Sequence, residues 1–179
     1  DSWMLLPNRF EAHEHLVEIQ DIASFSQKQS DKNLAGSRFE NALSCMFLRC
    51  GFKPERQASL PEATEIPDFI FPNTEIAIQK PNECFQCECQ TTLKDRFRLT
   101  SGKGNAFPLQ VFGLTADGAD IFSSADTITQ QKGKEWQKEK IHLVCFQHVY
   151  ERKKRQVKNI WSFEQFIQHC IDHEKHWSE

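Results

Sequence analysis

The chain has 179 residues, 39% of them apolar, and a formal net charge of −3; that suffices for one globular domain with a sizeable core and argues against nucleic-acid binding as a property of the whole surface, since a phosphate-binding face must be positive. Seven glycines and seven prolines exclude a collagen-like or linker-dominated chain, and no apolar run approaches a bilayer span or reads as a signal peptide. Seven scattered cysteines, an odd number, do not make a secreted disulfide framework, so a reducing, cytoplasmic compartment is expected.

Taken in order, residues 9–28 space Phe10, Leu16, Ile19, Ile22 and Ala23 as an amphipathic helix does. Residues 29–36 are polar and read as a loop. A second helix starts at Ser37, spaces Phe39, Leu43, Met46, Phe47 and Cys50 helically, and stops at Gly51. The period then changes. Residues 65–72 are short, aromatic and β-branched, which is strand composition closed by Pro72. Residues 74–79 suggest a further brief strand. Cys84 to Gln90 alternates acid or amide side chains with cysteine, as a strand with two different faces does.

Thr91-Thr92 precede a short basic helix from about Leu93. Leu109 to Leu114 and Ile141 to Val149 read as buried strands, and 126–139 as an exposed polar helix. Ser162-Phe163-Glu164-Gln165 has the form of a capping box opening a helix through His176. Helices, then strands, then alternation predict an α/β domain over residues 1–179 with a central mixed β-sheet flanked by helices. The chain opens on Asp1, which leads to the expectation that it is a piece of something longer, without an N-terminal regulatory or second DNA-binding domain.

Two acids stand out. Asp68 lies in Ile-Pro-Asp-Phe, and Glu88 shares a strand face with Gln90 while Cys87 and Cys89 point the other way. If the two strands are neighbours, Asp68 and Glu88 converge, and two adjacent carboxylates need positive charge between them. Mg²⁺ fits, because it binds through one or two carboxylates and keeps waters and phosphate oxygens. The plainer reading is a turn-capping Asp and a solvent-facing Glu.

Pro67-Asp68 followed by Glu88-Cys89-Gln90 resembles the PD-(D/E)xK nuclease signature. Thr91-Thr92-Leu93-Lys94-Asp95-Arg96-Phe97-Arg98 looks like the corresponding segment of EcoRII-type restriction endonuclease catalytic domains, and Pro67 to Pro72 is similar to that family's strand. The resemblance is specific over 66–98 and fainter towards the C-terminus. It implies a restriction-endonuclease-like fold and a metal-dependent type II endonuclease, acting as a homodimer on double-stranded DNA at sites with CC and GG steps (CCWGG- or CCNGG-like). On that resemblance Asp68 and Glu88 hold Mg²⁺ and Gln90 positions the water. Lys94, Asp95 and Arg96 read bases, as Arg can fork to guanine and a carboxylate can accept from cytosine, and Arg98 contacts phosphate.

The sequence departs from the family twice. Its catalytic Lys falls at Gln90, whose amide bonds a water but carries no charge. The second acid that relatives place on the following helix is absent from Gly102-Lys103-Gly104-Asn105. The site is either rearranged around Glu88 or decayed. Glu40 occupies the place where many superfamily members carry a helix glutamate, yet Ser37-x-x-Glu40 is equally a capping box. A DNA-binding module that cannot cut, and a repair nuclease of little sequence preference, are the alternatives.

Cys84-x-x-Cys87-x-Cys89 invites zinc, but alternation sends Cys87 and Cys89 away from Cys84. His13, His15, His169, His173 and His176 read as surface residues. The basic run Arg152 to Lys158 reads as a solvated loop or a phosphate-tracking segment.

Overall fold

The structure, a computed structural model, describes residues 29–61, 66–93, 109–116 and 128–177. Five helices and six strands alternate within them: α1 (Gln29–Arg49), β1 (Glu55–Arg56), β2 (Phe69–Phe71), α2 (Thr74–Gln79), β3 (Phe85–Gln90), β4 (Gln110–Thr115), α3 (Gln130–Lys138), β5 (Ile141–Cys145), α4 (Gln147–Lys153), β6 (Ile160–Ser162) and α5 (Phe163–Trp177). The strands form one sheet in the order β1 to β6. β2 runs antiparallel to both of its neighbours, β1 and β3, and β3 to β6 run parallel. This is the mixed, helix-flanked sheet that the alternating pattern predicts.

Strand alternation sorts the core into two sides. Phe69, Phe71, Phe85, Cys87, Phe112, Leu114 and Val144 face α1 and α5, whose Phe39, Leu43, Phe47, Phe163, Phe166 and Cys170 complete one cluster. Ile141, Leu143, Cys145 and Ile160 face the other way, towards Trp136 of α3 and Val149 of α4. Ile70 meets Ala77 of α2 on that side too. Ser162 and Gln165 make the predicted capping box in both directions: Gln165 N–H donates to the Ser162 hydroxyl at 3.2 Å, and Ser162 N–H to the Gln165 side-chain carbonyl at 3.0 Å.

Three expectations need correction. Residues 29–36 are not a loop, since α1 begins at Gln29; Ser37 is therefore mid-helix and caps nothing. Residues 74–79 are a helix, not a strand. Its Ile76 and Ile78 alternate as in a strand, but Asn73 accepts the Ile76 N–H at 2.9 Å and so opens a helical turn. The run from Ile141 to Val149 is strand only to Cys145, after which Phe146 leads into α4; a short, largely apolar run fits a buried strand and a buried helix start equally. The helix expected at 9–28 lies outside the described residues.

Gly133 of α3 lies close against the loop residue Val157. A Cβ there would stand 2.7 Å from Val157 Cγ1 and 3.1 Å from Cγ2. Val157 is buried at 2% exposure and stiff at χ1, so it has nowhere to turn. Gly133→Ala gains about 1 kcal/mol of helix propensity against about 1–3 kcal/mol of overpacking. The expected result is a net loss of stability in urea denaturation. In a Val157→Ala background the same substitution should instead stabilise.

Candidate active site

The pairing of β2 with β3 opposes Phe69 to Cys87 and Ile70 to Gln86. The next rung would set the Asp68 backbone across from Glu88, but the paired ladder begins at Phe69. Pro67 has no N–H to give and cannot extend it. Asp68 closes it with its side chain: Oδ2 accepts the Cys89 N–H at 2.6 Å. The Asp68 carbonyl in turn accepts the Gln57 N–H at 3.2 Å.

Glu40 reaches the same place from α1. Released from capping duty, its Oε2 takes Arg56 Nη2 at 3.4 Å and Gln57 Nε2 at 3.4 Å. Arg56 also donates from Nη1 to Asn41 Oδ1 at 3.0 Å, and its guanidinium lies over the Phe69 ring, 5.6 Å from the centroid. Gln57 holds φ 48, left-handed for a non-glycine residue; such strain costs on the order of 1–3 kcal/mol and persists where neighbours enforce it. Here its backbone is tied to Asp68 and its side chain to Glu40. Sequence reasoning missed Arg56, because a two-residue strand carries no readable period, and Gln57 after it and Asn41 on α1 belong to no motif.

Burial raises the Asp68 carboxyl above its ordinary value. The Cys89 N–H opposes that shift, the Glu40 charge adds to it, and Arg56 opposes it. Cys89 is pushed up well above the thiol range, first by burial and then by charge, with Asp68, Glu40 and Glu88 all among the causes. The Cys89 thiol therefore stays protonated and is no nucleophile.

The raised Asp68 value has a stability consequence. A carboxyl raised on folding costs stability once it ionises, so the cost is absent below the unfolded value, about 3.9, and grows as pH rises through the folded one. Asp68→Asn keeps an acceptor for Cys89. It should therefore melt above the native protein at pH 8, with the gap closing as pH falls below about 4.

Glu88 and Gln90 are partly exposed on the β3 face opposite Cys87. Glu88 is paired with Gly113 of β4. The Gln90 carbonyl accepts the Ala116 N–H at 2.9 Å. Both residues sit at the carboxyl end of the parallel strands, where ligands of open α/β sheets bind. Leu93, just beyond, is 1% exposed in the cluster with Ile128 and Trp136, and its carbonyl accepts Lys132 Nζ at 3.4 Å. The chain is thus anchored immediately before Lys94. Lys94, Asp95, Arg96 and Arg98 themselves lie outside the described residues, as do Gly102 to Asn105, His13 and His15.

Other expectations fall away from this site. Cys84 packs with Ile70 and Ala77, and Cys87 on the opposite side of the sheet with Phe71. Among the described residues no three His, Cys, Asp or Glu side chains are grouped to hold a metal ion. His169 is not a surface residue: it packs on Phe85, Phe112 and Trp161, its Nε2 is buried without a partner, and burial holds its pKa down at about 4. The run Arg152 to Lys158 spans the end of α4 and the turn into β6, where Asn159 donates to the carbonyl of Ile141, the first residue of β5. That is the opposite end of the parallel strands from Glu88 and Gln90. No described helix is long and apolar enough to cross a membrane.

The sequence model of the family described as EcoRII C terminal matches residues 8–167. Among solved structures, metal-depleted Ecl18kI in complex with uncleaved, modified DNA is similar with a TM-score of 0.72 and 17% identity, over 96% of this chain and 56% of that one. Metal-depleted Ecl18kI with uncleaved DNA gives 0.68 and 16%, over 83% and 48%. The restriction endonuclease PspGI–substrate DNA complex gives 0.66 and 16%, over 91% and 73%. The chain spans about half the length of the Ecl18kI chains it matches. No curated protein sequence matches it.

Proposed function

The chain belongs to the EcoRII C-terminal family, and from that premise we propose that it is a type II restriction endonuclease domain hydrolysing phosphodiester bonds in duplex DNA. The observation that carries this reading is Asp68 at the mouth of β3, its carboxylate fixed by the Cys89 N–H at 2.6 Å with the Glu40 carboxylate close enough to raise its pKa further. A buried carboxylate whose pKa is raised by burial and by a second carboxylate marks a place short of positive charge. The fold likeness to endonucleases captured on DNA supports the same substrate.

The donors are hard oxygens, which suit Mg²⁺, and one or two carboxylates are as many as that ion usually takes from a protein. Asp68 and Glu88 would hold it and Glu40 would assist from α1. When bound, Mg²⁺ lowers the pKa of a coordinated water and neutralises charge on a phosphate. The Cys89 N–H fixes one Asp68 oxygen and leaves the direction of the other defined. Gln90 orients the attacking water through its amide. The water oxygen bonds to phosphorus as the P–O3′ bond breaks; the water's proton is released to solvent, and the departing oxygen takes one up. Lys94, Asp95 and Arg96, rooted at Leu93, would read CC and GG steps in the major groove, with Arg98 on phosphate. Two such sites in a homodimer would give a double-strand break.

One observation favours a second reading, a DNA-binding module that does not cut: Gln90 stands where relatives carry Lys. Supercoiled plasmid incubated with and without Mg²⁺ separates the possibilities. Discrete bands support the restriction enzyme, and a smear would indicate a nuclease of little preference. Retention of DNA without any cutting would favour the binding module.

A further inference from the structure

A glutamine at position 90 puts an uncharged amide at the water-positioning end of β3, and among the described residues Arg56 of β1 is the cation paired with the acidic group. It sits beside Asp68 in two respects: it pairs with Glu40 at 3.4 Å, and it lies over Phe69, the residue that follows Asp68. Resting on the nuclease reading above, we propose that Arg56 supplies at the scissile phosphate the positive charge that relatives draw from a lysine in the position of Gln90.

The two duties of one lysine are then divided. Gln90 keeps the hydrogen bond to water, which an amide can make, and Arg56 keeps the charge, which an amide cannot. Arg56 takes no part in proton transfer because its guanidinium does not deprotonate in proteins. Its planar fork suits a phosphate, presenting parallel donors to two oxygens. The present partners do not lock it away. The Glu40 contact is long and its arginine side chain is 38% exposed, so the pair is of the weak, exchangeable kind. Asn41 and the Phe69 face hold the guanidinium at the edge of the site while leaving Nη2 to change partner.

The test is compensation. Plasmid cleavage in Mg²⁺ is measured for the native protein, Arg56→Ala, Gln90→Lys and the double variant, with melting temperatures as a folding control; Arg56→Gln, which keeps length and polarity, repeats the test if the alanine variant is unstable. Arg56→Ala or Arg56→Gln should lower cleavage about 10²-fold, as loss of one charge-stabilising donor does. Adding Gln90→Lys should restore it to within about tenfold of native. A purely structural Arg56 would not be rescued from another strand. A double variant no better than the single overturns the assignment. So does an Arg56 variant that cuts as well as native, or faster, the latter marking Arg56 as an obstruction paired to Glu40. In those cases, cleavage that still depends on Asp68 leaves the nuclease reading standing. A native protein that never cuts removes both.

Discussion

Asp68→Ala should abolish Mg²⁺-dependent cleavage, by about 10³-fold or more, while DNA is still retained. A carboxylate holding a divalent ion at the scissile phosphate carries several kcal/mol of charge stabilisation, and each 1.36 kcal/mol is about tenfold in rate. Binding should survive or tighten, because a carboxylate repels phosphates when no cation offsets it. The alanine also strips the Cys89 N–H of its acceptor, so a fall in stability of about 1–3 kcal/mol is expected beside the loss of cutting. Asp68→Asn separates the two effects: it restores the acceptor but not the charge. Both variants should be equally dead, with only the alanine less stable. Cleavage that persists in either one would sink the assignment of Asp68.

Why Asp68 was legible and Arg56 was not follows from how each is held. Asp68 immediately precedes a strand aromatic enough to be recognised, and Glu88 lies in one long enough to show a face: β3 displays its two faces as an alternation of cysteine with acid or amide. The family resemblance over residues 66–98 then gave those acids a chemistry. Glu40 remained open from sequence because Ser37-x-x-Glu40 satisfies a local rule; only the start of α1 at Gln29 dissolves it. Arg56 and Gln57 owe their place to long-range contacts, with Glu40 sixteen and seventeen positions away, and no local pattern encodes such a meeting. The same applies to His169, whose i, i+4 neighbour His173 suggests an exposed helix face. It is the Phe85 and Phe112 rings of two strands that cover it.

Two of the misread elements share a cause. Thr74–Gln79 and the run from Ile141 to Val149 are short and mix apolar with polar residues, and so short a run satisfies strand and helix periods alike. What decided them was capping by Asn73 in the first case and the break at Phe146 in the second. Longer elements such as α5, with Phe163, Phe166 and Cys170 buried along one side, left no such ambiguity.

Phe85→Ala should be the most destabilising single change on β3, costing about 3–5 kcal/mol from a total that is about 5–15 kcal/mol for a domain. The ring is 1% exposed. It stacks on Phe71 at 4.9 Å and meets Phe112 at 5.2 Å, Trp177 at 5.6 Å and Phe166 at 5.9 Å, so the truncation empties a space bounded by both neighbouring strands and by α5. Those walls cannot collapse inward, because β3 is paired on each side, to Phe71 and to Gln110 at this very residue. Phe85→Leu, which refills most of the space, should cost about 1–2 kcal/mol. Denaturant midpoints measure both. Phe85 lies at the far end of β3 from Glu88 and Gln90, about 10–16 Å along the strand. The alanine variant should therefore keep native cleavage per folded molecule at a temperature well below its melting point, whereas Asp68→Asn keeps the fold and loses the cleavage. If Phe85→Ala proved as stable as native, the aromatic cluster would not be the element that holds α5 against the sheet.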